Sequence, residues 1–415
     1  MGAGPAGAAT AYWAAKAGLD VVVVERKQFP RDKTCGDGLT PRAVKALDDM
    51  GLTTQLSGYH RYGGLRAVAH NRSLELQWPK HSVFPNYGYV VRRCELDQMV
   101  IHHAVAAGAE LKLGHEATQP ILGNGLVDGV EVIDKTTGKA TPIKARYVAV
   151  ADGANSRFGR ALGATRNRSY PQGMAIRTYF ESPLHNTGWI ESALDMRDRN
   201  GKSLPGYGWI FPLGDGTVNV GAGLLSTYRH YKSVNTSHLM EEFASTLPDY
   251  WEINPNKPLM APVGGRLPMA GSVNPKAGPN HLLVGDAAGS VNPFNGEGID
   301  YAYETGQMAA ELVAEAIATN NNAALARYPK LLEEHYGAYF RVARAFAHLI
   351  GKPTLLRELT RVGMRSRPIM DVALRIMANL MDPNNPGAAE YIYKAATGLS
   401  AASSRLTSFS HRQPR

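Results

Sequence analysis

Residues 2–7 read Gly-Ala-Gly-Pro-Ala-Gly, and a Gly-x-Gly-x-x-Gly spacing can cradle a pyrophosphate. Gly2 permits the tight turn, Gly4 lets the backbone approach the phosphates, and Gly7 allows a helix to pack closely on a strand. Pro5 and Ala6 complete the turn and open that helix, whose free N–H groups and positive dipole favour an anion. Glu25 lies 18 residues beyond Gly7, with Arg26 beside it, and is placed to accept the ribose hydroxyls of an adenosine. Tyr207, Trp209 and Phe211 occupy alternate positions, so on a strand their rings share one face, either as a groove wall or as a plain aromatic core. Cys35 stands before a Gly-Asp-Gly turn. It is either a proton donor, if solvent or Asp37 can reprotonate it, or a small buried residue. Cys94 reads as packing, and the 13 histidines, His102 and His103 included, show no metal-ligand spacing, so no metal is expected.

These residues need elements to hold them. Ala8 to Ala17 is rich in alanine and lacks proline, which predicts a helix closed by Gly18, followed by a strand Val21–Val24 that ends in Glu25. A second strand, in "YVAVADGANSRFGRALG", runs into Asp152-Gly153. A third, in "HLLVGDAAGSVNPFNGEGIDYAYETG", runs into Gly285-Asp286 and another glycine-rich helix start. The first turn should itself follow a central strand, so the natural chain is expected to begin upstream of Met1.

Taken together, these three segments resemble the FAD-binding superfamily of the aromatic hydroxylases and their reductase relatives. "VVRRCELDQMV" is similar to that superfamily's Arg-x-x-x-Asp segment at Arg93 and Asp97, which implies an arginine near the cofactor. The resemblance also implies FAD as cofactor and a contact from Asp286 to its ribityl chain. It implies further that Gly296, Gly298 and Ile299 open a helix whose N–H groups and dipole face the flavin ring. "FPRDKTCGDGLTPRAVKAL" and "LPGYGWIFPLG" narrow this to a resemblance to the geranylgeranyl reductase family, from Gly2 to about residue 380, closest to its actinobacterial menaquinone-reducing branch. The activity so implied is FAD-dependent reduction of an isolated C=C bond in an isoprenoid chain, that of menaquinone or else a geranylgeranyl group. An isolated alkene has no carbonyl to accept charge, so hydride must be matched by a proton while positive charge develops on carbon. Rings at Tyr207, Trp209 and Phe211 would stabilise that charge, and the family places Cys35 near the isoalloxazine with a part in reduction. The rivals are a flavin monooxygenase or halogenase on the same fold, and a non-catalytic flavin- or lipid-binding protein.

The fold expected is α/β: a Rossmann-type FAD-binding domain of the aromatic-hydroxylase-like superfamily (1–60, 93–165 and 276–320), an inserted antiparallel-sheet substrate domain (61–92 and 166–275), and a C-terminal helical region (321–415). At 415 residues the chain is long enough for these parts. Its net charge of +9 favours an anionic partner, and no nucleic-acid motif accompanies it. Two cysteines make no disulfide framework, and no run approaches the roughly 18 apolar residues of a spanning helix. A cytoplasmic protein is expected, bound peripherally to the inner face of the cell membrane. Residues 341–380 carry eight basic side chains against two acidic ones. There "RPIMDVALRIMANLM" aligns Ile369, Val372, Ile376 and Leu380 beside Met370, Leu374, Met377 and Met381, an arc for a core or for an anionic membrane surface. The prenyl-lipid substrate would come from that membrane. No second complete glycine motif is present for a nicotinamide cofactor, and the sequence does not name the electron donor, which is expected to be external, NAD(P)H or a redox protein.

Overall fold

The computed structural model describes residues 1–198 and 201–398; the tail of the expected C-terminal region, 399–415, lies outside them. The first helix, Pro5–Lys16, begins one turn earlier than its alanine run suggests, because proline is favoured in a first turn, where its missing N–H is not needed. The strand Val22–Glu25 follows and pairs in parallel with Glu110–Leu113, which the helix Arg93–Ala106 precedes. A second parallel pair joins Val148–Val150 to His281–Leu283. Met1 and Gly2 lie between the two pairs and hydrogen-bond both. Gly2 N–H donates to Val24 O at 2.8 Å, the Met1 amine donates to Ala149 O at 2.9 Å, and Met1 O accepts from Ala151 N–H at 3.0 Å.

The long helix Ile299–Thr319 crosses the first helix with small residues at the contact. A side chain at Gly306 would meet Ala6 O at 2.8 Å and the Thr10 hydroxyl at 3.0 Å, so this crossing is possible only with glycine there.

A seven-stranded sheet forms the other layer. Its order is Val263–Pro268, Gln172–Glu181, Thr217–Leu225, Gly206–Pro212, Trp189–Ala193, Gly64–Ala69 and Arg72–Gln77. Neighbours run antiparallel except Trp189–Ala193 and Gly64–Ala69, which run parallel. That exception follows from connectivity, since these two strands come from distant segments and no hairpin sets their direction. Alternation divides the sheet's faces. Ile176, Phe180, Ile210, Val218 and Val220 bury one face with Leu239, Met240 and Phe243 of the helix Thr236–Ser245. Arg177, Tyr179, Tyr207, Trp209, Phe211 and Asn219 occupy the alternate positions, and contacts to the 32–38 loop or the 294–297 turn come from that set.

The C-terminal arc has another fate than a membrane face. The helix Arg367–Met377 ends before Leu380, so Leu380 is not part of its stripe. Leu374 and Leu380 are buried with Ala67, Leu76 and Trp78, while Ile376, Met377 and Met381 pack toward Tyr339 and Phe340. The arc is broad because two separate cores claim its two sides; Ile369, 49% exposed, is its outward end.

Candidate active site

The three opening glycines do three different jobs. Gly2 has φ +86°, and a Cβ there would lie 2.4 Å from Ala151 O. At Gly7 a Cβ would lie 1.8 Å from Gly2 O. At Gly4 it would meet only Arg31 Nη2, at 3.6 Å, so this position keeps open space over the helix N-terminus. No side chain caps that terminus, which Pro5 and Ala6 open. Glu25 is buried and first of all shapes the turn, accepting from Ala3 N–H at 2.9 Å and Lys27 N–H at 3.0 Å. Arg26 points elsewhere; it is 61% exposed and sits 3.9 Å from Glu116. Arg31, which the sequence reading did not single out, is the cation in the cradle: it lies 3.6 Å from Glu25 and 3.1 Å from Asp97, and its Nε is buried without a partner.

Arg93 is buried and grips Asp97 through two hydrogen bonds of 2.8 Å. Burial opposes its charge, but Asp97 and the nearby Cys35 outweigh this and hold its pKa well above the ordinary value. The Asp286 carboxylate makes no protein hydrogen bond among the described residues, and burial raises its pKa against the pull of Lys33 and Arg93. Gly296 has φ +77° and its own N–H donates to Asn292 O at 2.9 Å, so that group is already engaged. The helix N-terminus beyond it, with Gly298 as cap and Ile299 first, carries no side-chain cap.

An open phosphate position, a buried arginine with an unpartnered nitrogen, an unbonded carboxylate and two uncapped helix N-termini fit a dinucleotide flavin. These residues could hold such a group, with its pyrophosphate at Gly4 and Arg31, its ribityl chain at Asp286 and its ring at Gly298 and Ile299.

Across the cleft, side chains from the sheet clamp the Cys35 loop. Arg177, fully buried in an otherwise apolar strand, donates to Cys35 O at 3.2 Å and Lys33 O at 3.1 Å and pairs with Asp32. Asn219 donates to Cys35 O at 2.9 Å and to Asp37 at 2.8 Å, and accepts from the Trp209 indole at 2.9 Å. Asp37, at φ +65°, also accepts from the Tyr179 hydroxyl at 2.6 Å and from Arg93 N–H at 3.2 Å. Burial pushes the Cys35 thiol up, with Arg93 opposing and Asp37 adding to the rise, which keeps it protonated at neutral pH.

The rings of Tyr207, Trp209 and Phe211 form a ladder with centroids 5.9 and 6.3 Å apart. Phe211 covers Gly36 and Gly38, where a Cβ would lie 3.0 Å from its ring. Trp209 is buried on Gly221 of the next strand, and Tyr207 donates to Asn295 O at 2.5 Å, joining the ladder to the turn before the second helix. Cys35, Arg93, the ladder and the 295–298 turn therefore come together in one region. Arg177, Tyr179, Asn219 and Glu297 complete it and were missed. Arg177 and Asn219 have as sequence signal a charged or amide residue interrupting an apolar run, as in Ala-Ile-Arg-Thr and Val-Asn-Val, and Glu297 stands between Gly296 and Gly298.

Residues 1–213 match the family described as FAD binding domain. A menaquinone reductase of Mycolicibacterium smegmatis is 43% identical over 98% of this chain and 96% of its own length. A digeranylgeranylglycerophospholipid reductase of Methanosphaera stadtmanae is 33% identical over 82% of this chain and 84% of its own. Among solved structures, a geranylgeranyl bacteriochlorophyll reductase-like protein of Thermoplasma acidophilum superposes with TM-score 0.74 at 24% identity, covering 95% of this chain and 94% of that one. A flavin-dependent brominase shares the same fold at TM-score 0.73 and 19% identity, covering 99% of this chain and 98% of its own. With the cradle fitted to a dinucleotide flavin and relatives matching nearly end to end, the chain belongs to the FAD-dependent reductase family of the menaquinone and geranylgeranyl reductases.

Proposed function

We propose that this protein reduces an isolated carbon–carbon double bond in the isoprenoid side chain of menaquinone. The observation that carries this reading is the near full-length identity to menaquinone reductases. Bound FAD, once reduced by an external donor, supplies the hydride. The protein's own residues then have three tasks: to hold the chain, to stabilise positive charge developing on the substituted carbon, and to provide a proton. The electron-rich faces of Tyr207 and Phe211, braced by buried Trp209, serve the second task. Cys35 lines the opposite wall with a neutral thiol, and Arg93 holds the helix Arg93–Ala106 against that loop.

The test is anaerobic. Dithionite-reduced holoenzyme mixed with menaquinone is expected to yield the dihydro side chain by mass spectrometry. No saturated product from any prenyl lipid, or oxygen-dependent hydroxylation or halogenation instead, would overturn the reading.

Access to such a substrate calls for a membrane face, and we place it on the helix Pro353–Gly363. Leu359 and Val362, 41% and 57% exposed, share an outward stripe with half-buried Leu355, flanked by Arg357, Arg361 and Arg365. Leu349 and Ile369, on the neighbouring helices, are also exposed. Apolar side chains bordered by arginines suit an anionic lipid surface. No helix among the described residues is long and apolar enough to cross a membrane, and the association placed on this helix is peripheral.

A further inference from the structure

Behind the 295–298 turn lies a charge imbalance that the reaction as described so far does not use. Three carboxyl groups, Glu297, Asp300 and Glu304, surround one guanidinium, Arg42. Arg42 binds Glu304 at 2.6 and 2.7 Å and reaches Asp300 Oδ2 at 3.3 Å. Glu304 also accepts from the Tyr336 hydroxyl at 2.5 Å and is thereby fully served. Asp300 is completely buried, and its Oδ1 has no partner. Glu297 is half-buried. It accepts from the Thr40 hydroxyl, takes a 3.3 Å bond from the Asn295 amide, and acts on Tyr62 and Tyr207 across the cleft. The remaining groups packed around the four are Tyr301 and Tyr339, both neutral phenols. One cation cannot neutralise three clustered carboxylates, one of them fully buried and two half-buried, so at least one carboxyl keeps its proton.

We propose that Glu297 is the acid that protonates the alkene, with buried Asp300 as the proton store behind it. This rests on the alkene-reduction reading above. The alkene π pair takes the proton as the Glu297 O–H bond breaks, and the electron-deficient carbon takes the hydride of the reduced cofactor. The π bond, the Glu297 O–H bond and the reduced cofactor's bond to the hydride are exchanged for two C–H bonds, leaving the cofactor oxidised by two electrons, and the Glu297 carboxylate recovers its proton from Asp300 and then from solvent. Position favours Glu297 over Cys35. Glu297 stands in the 295–298 turn that Tyr207 holds through Asn295 O, whereas the one carboxyl beside Cys35 is Asp37, itself raised by burial but with both oxygens held as acceptors by Tyr179, Asn219 and the Arg93 backbone. Burial, with Glu304 nearby, lifts Glu297 to about 7 against Thr40, Arg42 and Asn295, which matches a donor working near neutrality.

The experiment compares wild type with Glu297→Gln, Glu297→Asp and Cys35→Ser, all FAD-loaded. In pH-difference infrared spectra a protonated-carboxyl band titrating near neutrality is expected in wild type and Cys35→Ser and absent from Glu297→Gln. In anaerobic single turnovers Glu297→Gln should lose at least about 100-fold in rate with KM little changed. Glu297→Asp should recover part of that rate with a displaced pH profile. A band and a rate that Glu297→Gln leaves unchanged would overturn this inference alone. A wild type that keeps the Glu297-dependent band yet reduces no prenyl lipid would overturn the proposed function and the acid role, while leaving the stored proton in place.

Discussion

The two walls of the cleft are built on different principles. The cofactor wall is largely backbone: glycines that open or close space, two uncapped helix N-termini, and a strand-end acid that fixes the turn. The substrate wall is side chain, with Arg177, Tyr179, Asn219 and three rings from adjacent strands clamping one loop. A backbone site tolerates almost no added atom but asks little of long-range register. A side-chain site tolerates small changes of volume, yet depends on every strand being in place.

The comparison breaks most sharply at the glycines. Gly7→Ala should destabilise the protein by about 3 kcal/mol or more, because its Cβ would overlap Gly2 O. Gly4→Ala should alter stability by less than about 1 kcal/mol while weakening FAD binding at least about tenfold. Thermal melts and flavin titrations measure both. If Gly4→Ala unfolded the protein as Gly7→Ala does, the space at Gly4 would be packing rather than a ligand's.

On the substrate wall, Asn219→Leu removes two donors and leaves the Trp209 indole unpaired, at a cost of about 1–3 kcal/mol. Turnover should fall more than FAD affinity does. Equal losses of both would mean that the clamp serves the cofactor instead.

A smaller effect tests the carboxyl cluster. Glu297 has a pKa raised from 4.5 to about 7, so between these values the folded state holds a proton that the unfolded state has released. Stability is therefore expected to decline as pH rises through that window, and Glu297→Gln should flatten the decline. Parallel melting curves of the two proteins across the window would remove the cluster from the account.

The smallest effect on catalysis belongs to the membrane face. Leu359→Glu with Val362→Glu should cut co-sedimentation with anionic vesicles at least about tenfold and leave turnover of detergent-dispersed substrate unchanged. Undiminished vesicle binding would move the contact away from this helix.

The same contrast explains what could be read in advance. The dinucleotide cradle was legible because each of its demands is local: a positive φ at Gly2, a close approach at Gly7 and an open position at Gly4 all fall within six residues. The α/β class followed from this unit and its two later echoes, and the FAD requirement from the family resemblance that they carry. Arg31 was overlooked although its segment was read, because nothing local says that an arginine in a loop turns back toward a helix N-terminus. The apolar arc at 369–381 was ambiguous for a related reason. Periodicity describes a helix face but does not say what covers it, and here two cores do.

By itself, then, the sequence determined the backbone half of the site and the kinship of the chain, since glycine spacing and loop wording are short-range properties. Tertiary structure alone decided the clamp on Cys35, where Arg177 and Asn219 act across 142 and 184 positions of chain. It also decided which helix faces outward and how three carboxyls come to share one arginine. Those outcomes depend on which strands become neighbours and which surfaces are buried, and burial is what turns an ordinary carboxyl into a proton store.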